Sequence, residues 1–335
     1  MKAAIIGAGL AGLRVANRLR DAGAEVSIFE KARGPSGRLA TRRTGEGHFD
    51  HGAQYFTARM PKFVAQVDDW CRRGIVAEWQ GRMVSLDDGV VSREKEPPKR
   101  FVGIPRMSAI ARDLAGDIPA EFSARVESVQ REGQLWTLVT EDGENRRGFD
   151  VVVMAVPAPQ AVPLLAPAPL LARRVSDLRM LPCHALMLRF ESELEVEFDA
   201  AFVRSSSLGW IARNSSKPGR DEGQTWVLHS TAGWSQSHLD LEPEETLELL
   251  LAALAVALGR PLPAVGSFAA HRWLYARPAG SYAETTVWDT KLGLGACGDW
   301  THGDRVEDAF ESAEALADVI HADLFERSHP PHGKR

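Results

Sequence analysis

The chain has 335 residues, 44% of them hydrophobic and 25% charged, which suits a soluble globular protein with a large core and room for two domains. A formal net charge of −5 gives no overall attraction to nucleic acid or to an anionic membrane, although a local basic patch stays open. Three cysteines, Cys71, Cys183 and Cys297, stand far apart with no C-x-x-C pair and no zinc spacing, so a reduced, cytoplasmic protein without a metal site is expected.

The first apolar run is broken by glycines at once, which is no signal-peptide pattern. The apolar stretch from Leu247 to Leu258 is far short of a membrane span and carries Glu248, so no membrane segment is expected. In chain order, Ala3 to Ile6 is too short an apolar run for a helix, and it ends at Gly7, Gly9 and Gly12 in the spacing G-x-G-x-x-G. A buried strand therefore enters a tight turn. Leu10, Leu13, Ala16 and Leu19 then recur at helical intervals up to Gly23, and Val26, Ile28 and Phe29 form a second strand.

In such a βαβ unit the first glycine permits the turn, the second lets a pyrophosphate approach the backbone, and the third lets helix and strand pack closely. Free N–H groups at the helix start face the phosphates. Glu30 ends the second strand 18 residues after Gly12, where a carboxylate can accept hydrogen bonds from an adenosine ribose and disfavours a 2′-phosphate. The pattern predicts dinucleotide binding and leaves FAD or NAD open.

The following loop carries Arg33, Arg38, Arg42 and Arg43, which suit anion contact or a solvated basic surface. Residues 48–59, HFDHGAQYFTAR, crowd two histidines, an acid, a glutamine and aromatics into one stretch. Residues 61–99 read as an excursion, with a helix around Phe63, Val67 and Trp70, strands at Ile75 to Trp79 and Arg82 to Leu86, and a charged surface loop. A helix capped by Ser108 follows. From Ala124 to Val139 the alternation predicts a hairpin, and the apolar strand in FDVVVMAVP ends at Pro157. The proline-rich AVPAPQAVPLLAPAPLL alternates with apolar residues and reads as an ordered domain crossing.

Beyond it, HALMLRFE, SLGWIARN, TWVLHSTAGW and SFAAHRWLYARP read as strands and EETLELLLAALAVALG as a helix. The chain closes with the strand around Leu292 and Leu294, a Gly298–Asp299 pair, and a helix whose face is Val306, Ala309, Phe310, Ala313, Leu316, Ala317 and Ile320.

The combination of GAGLAG, Glu30, GRLATR and DHGAQYFTAR resembles the bacterial renalase-like branch of the flavin-dependent amine oxidase superfamily. The resemblance implies an α/β fold with a Rossmann-type FAD-binding domain, as in glutathione reductase and the amine oxidases, and a second α+β substrate domain on a mixed or antiparallel sheet. It divides the chain into a discontinuous FAD-binding domain of residues 1–60, 100–160 and 290–328, a substrate domain of residues 61–99 and 161–289, and a flexible tail, 329–335.

It further implies non-covalent FAD held by Gly7, Gly9, Ala11, Gly12, Glu30, Lys31, Arg38, Leu39, Gln54, Tyr55, Val126, Asp299 and Val306. Arg38 supports the pyrophosphate and ribityl chain, Gln54 and Tyr55 touch the isoalloxazine, and Val126 meets the adenine through its backbone. Asp299 binds a ribityl hydroxyl, and the last helix points its positive end at the flavin O2 edge. That terminal motif selects FAD over NAD. Substrate contacts are expected at Tyr55, Phe56, Arg59, His184 and Arg305, and Arg272 reads as structural.

The implied reaction takes hydride from 2- and 6-dihydro isomers of NAD(P) and reduces O2 to hydrogen peroxide, which needs no general base, and no base, nucleophile or metal cluster is read from the residues. No nucleic acid or membrane partner is expected. An amine oxidase is the alternative, disfavoured because none of the eight lysines falls in a segment placed beside the flavin ring. A flavoprotein that binds nucleotide without turnover is the other.

Overall fold

The computed structural model describes residues 1–93, 95–280 and 286–328, the last five of these without side chains. The predicted tail, 329–335, lies outside the described residues. The chain forms two compact units, one of Met1–Gly37, Ala111–Met180 and Pro278–Arg335, the other of Arg38–Ile110 and Leu181–Arg277. The fold class is the expected one: α/β, with a Rossmann-like unit and a second α+β unit.

In the first unit, β1 (Lys2–Ile6), α1 (Leu10–Asp21) and β2 (Glu25–Glu30) form the βαβ opening. The sheet runs Val287–Asp289, Leu294–Ala296, Val151–Met154, β1, β2, Ala120–Phe122, parallel throughout except for its first strand. Ala3, Ala4, Ile5, Val152 and Val153 are all at most 0% exposed, as strands covered on both faces require. The strand order turns back at β1, which has β2 on one side and Val151–Met154 on the other. In open α/β sheets the carboxyl end of such a strand faces a ligand crevice.

Helix α1 is tied to the C-terminal helix Val306–Ser328, where buried Glu314 accepts from Arg14 Nε at 2.6 Å and from the Arg18 guanidinium. The predicted hairpin is the first part of a three-stranded antiparallel meander, Val126–Glu132, Leu135–Thr140 and Asn145–Phe149.

The second unit is built on a seven-stranded mixed sheet in the order Val265–Pro278, Met180–Phe190, Thr225–Ser230, Leu208–Arg213, Ala200–Val203, Met83–Asp87, Val90–Ser92. Its core joins Leu186, Leu188, Trp226 and Leu228 to Leu250 and Leu254 of the helix Pro243–Leu258. A capping box between Glu242 and Glu245 starts that helix, and Gly259 in the left-handed conformation (φ 61°) stops it.

The observed boundaries differ from those drawn on the sequence. Residues 38–60 and 100–110 pack with the second unit, because side-chain hydrogen bonds from the 214–220 loop hold them there. The proline-rich stretch forms helices Ala158–Leu164 and Pro169–Ser176, and belongs to the first unit, where Leu164, Leu165, Leu171 and Val175 share a core with Met154 and Val287.

Candidate functional site

In the first unit the chain leaves β1 at Gly7, whose φ of 107° favours glycine. A Cβ added at Gly7 would lie 2.5 Å from the Ala155 carbonyl oxygen, and one added at Gly12 only 2.1 Å from that of Gly7. Both positions are sterically closed to any side chain. At Gly9 the situation is reversed, for an added Cβ would meet nothing nearer than Gly37 Cα at 4.0 Å. The turn is thus packed on its inner side and open where Gly9 begins α1, and no side chain caps that helix. Uncapped N–H groups at an open helix start are suited to phosphate.

Glu30 is 8% exposed, and its two carboxylate oxygens accept from the backbone N–H groups of Ala8 at 2.7 Å and Ala32 at 2.8 Å. An ionised carboxylate has about four acceptor sites, so this leaves capacity for two further donors. Ala11 is buried in the first turn of α1. Lys31 is exposed and donates to Gln160 Oε1 at 3.3 Å; burial and then Arg125 lower its pKa. Ala124 N–H donates to the Glu30 carbonyl, and Val126, two residues on and 8% exposed, opens the meander opposite Thr140.

At the other end of the chain, Gly298 donates to Ser312 Oγ at 3.0 Å, and buried Asp299 opens the short turn before Val306. Arg305 is exposed and its N–H donates to Asp308 Oδ2 at 2.9 Å.

In the second unit, residues 50–55 are the centre of a buried polar network. Asp50, 1% exposed, accepts from Arg220 through Oδ2 at 2.5 and 3.1 Å, and from Thr41 Oγ1 and Met107 N–H through Oδ1 at 2.7 and 3.1 Å. Although burial acts against it, the cations Lys217 and Arg220 hold its pKa below the usual carboxylate value. Lys217 is buried; its Nζ donates to Gln54 Oε1 at 3.1 Å and Asn214 Oδ1 at 3.5 Å, and lies 3.6 Å from Asp50 Oδ2. Burial brings its pKa down to about 8.

Gln54 in turn donates to the carbonyl oxygens of Asp50 and Gly52. Tyr55 is half-buried, with Trp210 and Trp79 at ring distances of 5.4 and 6.4 Å and the Arg100 guanidinium over its face at 5.4 Å. Arg38 donates to the Ala276 carbonyl at 3.0 Å and Leu39 is buried beside it.

A second cluster adjoins this one. The His51 carbonyl accepts from His229 Nε2 at 3.0 Å and Trp273 Nε1 at 2.9 Å, and the His51 ring stacks on Trp273. Burial lowers His51 to about 3 and His229 to about 4. Both stay neutral in the fold while their unfolded forms take up protons below about pH 6.5, so stability falls as pH drops below that value. Thermal melting at pH 7 and 4.5 should show a lower Tm in acid, and His51→Phe should reduce the difference. An equal acid shift in that variant would contradict the assignment.

Of the expected substrate contacts, Tyr55 and Arg59 belong to the same segment, and Arg59 is exposed. Phe56 is 3% exposed; its ring packs against Phe63 and Phe101, and its backbone forms a bridge with Phe101. His184 is also buried. Its N–H donates to Ser230 and Ser235 Oγ at 2.9 and 3.1 Å and its Nδ1 meets Ser235 Oγ at 3.2 Å, while Nε2 has no hydrogen-bond partner among the described residues. Arg272 pairs with exposed Asp240 at 3.6 Å, in keeping with a structural role.

A sequence model of flavin-containing amine oxidoreductases matches residues 94–321, more than half of the chain. The chain belongs to this family. An NAD(P)-binding Rossmann-like domain model matches residues 5–70 of the same amine oxidoreductase. Among solved structures it is similar to a protein of Exiguobacterium sp. 255-15 provisionally described as a protoporphyrinogen oxidase (13% identity, TM-score 0.79, covering 96% of this chain and 99% of that one). A putrescine oxidase double mutant (14%, 0.74, 97% and 99%) and an oxidoreductase from Methanosarcina mazei (14%, 0.71, 94% and 99%) are similar to it also. At such identities these likenesses show the fold.

The cofactor of this flavin-containing amine oxidoreductase is FAD, and the residues present fit it. The cradle at Gly9 is open while its neighbours are closed, and Glu30 keeps acceptor capacity at the end of β2. Cys297 is buried and its pKa is pushed up to about 12, unlike a cysteine poised for covalent attachment. Lys217, Arg220 and Asn214 were missed by sequence reasoning, which placed no lysine beside residues 54–55. The only local signal was a lysine, an arginine and an asparagine gathered in one loop between two strands. Among the described residues no cluster suits a metal ion and no helix is long and apolar enough to cross a membrane.

Proposed function

We propose that this oxidoreductase is a renalase-like oxidase, cytoplasmic, that takes hydride from 2- and 6-dihydroNAD(P) and returns NAD(P)+, with O2 reduced to H2O2. The observation that supports it is the commitment of the buried polar side chains around Gln54. Lys217 has three acceptors within 3.6 Å for its three N–H groups, Asp50 is saturated by donors, and the Gln54 amide is engaged at both ends. These groups orient and hold; none is a vacant base. A dihydropyridine becomes aromatic on losing hydride, so its oxidation requires positioning alone.

When bound, FAD supplies the two-electron acceptor. In this reading Gly7, Gly9, Ala11 and Gly12 seat its pyrophosphate, Glu30, Lys31 and Val126 its adenosine half, Arg38, Leu39, Asp299 and Val306 the ribityl side, and Gln54 and Tyr55 the ring. Tyr55, Phe56, Arg59, His184 and Arg305 contact substrate, the arginines being suited to phosphate or amide groups. Glu30→Ala should raise the Kd for FAD by roughly 10- to 150-fold, the equivalent of about 1.5–3 kcal/mol for hydrogen bonds to a charged group. Titration of the apoprotein with FAD measures this, and an unchanged Kd would make Glu30 a strand-end residue only.

A second reading, amine oxidation, is favoured by the family description and by Lys217. The two separate by pH. An enzyme using Lys217 as base would accelerate as pH rises through about 8, where the ammonium loses its proton. The base-free reaction should show a flavin reduction rate that varies little between about pH 6 and 9.

A further inference from the structure

From Leu249 to Leu258 the helix Pro243–Leu258 carries apolar residues without interruption. A helix that is apolar all round is normally buried all round. This one is buried on one side only. Leu250, Leu254 and Ala257 enter the core of the second unit, whereas Leu249 is 43% and Val256 74% exposed, with exposed Ala252 between them. Exposed apolar residues scattered singly need no explanation, but these form a line with exposed Glu245. Glu245, Leu249, Ala252 and Val256 follow at steps of four, three and four, the spacing of a seam between paired helices.

The line is its own complement when reversed. Counted outward from the point between Ala252 and Ala253, Leu249 corresponds to Val256 and Glu245 to Arg260, which stands just past the helix end. Two copies laid antiparallel about a two-fold axis at that point would set Leu249 of each against Val256 of the other. Ala252, near the axis, is small enough for the helices to approach closely.

Charge favours the same arrangement. Glu242, Glu244, Glu245 and Glu248 crowd the start of the helix, and Arg260 follows its end. Among the described residues Glu245, Glu248 and Arg260 form no ion pair within the chain. The Glu245 carboxylate accepts from the Glu242 N–H at 2.9 Å, and the Arg260 guanidinium donates to the Glu195 carbonyl oxygen. Antiparallel pairing brings the acidic end of each helix to Arg260 of the other copy and opposes the two helix dipoles. The same acidic rim does not suit an anionic membrane, which attracts faces rich in lysine and arginine.

We propose that this face joins two copies of the chain in an isologous antiparallel helix pair, with the two-fold axis at Ala252. The inference stands apart from the substrate reading, because it concerns the outer face of a helix whose inner face is core. A single helix pair is a small contact beside the roughly 1,200 Å² that stable interfaces bury, so the dimer forms and separates with concentration.

Sedimentation equilibrium of the FAD-loaded full chain between about 1 and 200 µM tests this, and the parent should pass from monomer to dimer with a Kd on the order of 10 µM. Val256→Lys and Leu249→Glu each set a charge in the apolar seam and should raise the Kd by roughly tenfold or more. Both sites are exposed, so thermal melting should show folded variants, and either one suffices for the test. The double variant Leu249→Glu/Val256→Lys places Glu against Lys at both crossings and should return the Kd to within about threefold of the parent. In a parallel pair it would set like charges together and weaken association further.

A parent that stays monomeric throughout would leave the face to some other partner and overturn the proposal. A dimer indifferent to both single changes would overturn it as well, by placing the contact elsewhere. Single variants that dissociate while the double variant fails to recover would overturn the antiparallel register.

Discussion

Gly12→Val should yield a protein that purifies without FAD. Even a methyl group at this position would lie 2.1 Å from the Gly7 carbonyl oxygen and 2.9 Å from Ala155 Cβ, and real Cβ contacts are never so short. The clash is with backbone at the base of the turn, so it cannot be relieved by a side-chain rotation. Helix α1 would have to move away from β1, taking the Gly9 opening and its N–H groups with it. Overpacking of this kind costs about 1–3 kcal/mol of stability, while Leu13, Val15, Ala16 and Leu19 still anchor the helix. The expected result is a folded, colourless protein by circular dichroism and flavin absorbance. A yellow protein with the parental flavin content would contradict the assignment of this turn.

Asp50→Ala should be the most destabilising change in the second unit. It removes the carboxylate that pairs with buried Lys217 and Arg220, and it releases Thr41 and the Met107 N–H as well. Stranding buried charges in this way costs about 3–5 kcal/mol, which for a chain of this size lowers Tm by on the order of 10 °C. Because Asp50 is shared by the hairpin around Thr41, the turn at Met107 and the loop at Arg220, three separate stretches lose their common anchor. Differential scanning calorimetry measures the effect, and a shift of less than about 2 °C would show the cluster to be solvated.

The nucleotide-binding opening was legible because everything that defines it is local. An apolar tetrad, three glycines at fixed spacing and an amphipathic helix lie within thirty residues, and the closed positions at Gly7 and Gly12 follow from that spacing. Glu30 was legible in place but only partly in role, since the sequence gives no sign that Ala8 and Ala32 N–H groups already occupy its two oxygens.

The network at Gln54 was not legible. Lys217 is 163 residues away and arrives only because Leu208–Arg213 pairs antiparallel with Thr225–Ser230, which brings back the connecting loop. A loop of asparagine, serine, lysine, proline, glycine and arginine reads in isolation as a solvated turn. The same distance bears on the boundary, since residues 38–60 group with the second unit through polar contacts from that loop and through Phe49, which packs with Met187 and Val227.

Anaerobic mixing of the FAD-loaded protein with 6-dihydroNAD, with ordinary NADH and with benzylamine tests the central claim most directly. Carbons 2 and 6 of a dihydropyridine exchange places when the ring flips, whereas carbon 4 requires another pose. Flavin bleaching should therefore be fast with the 6-dihydro isomer and slow with NADH and benzylamine, and admission of air should then yield one H2O2 per substrate oxidised. Rapid bleaching by benzylamine, with none by 6-dihydroNAD, would contradict the account and make the protein an amine oxidase.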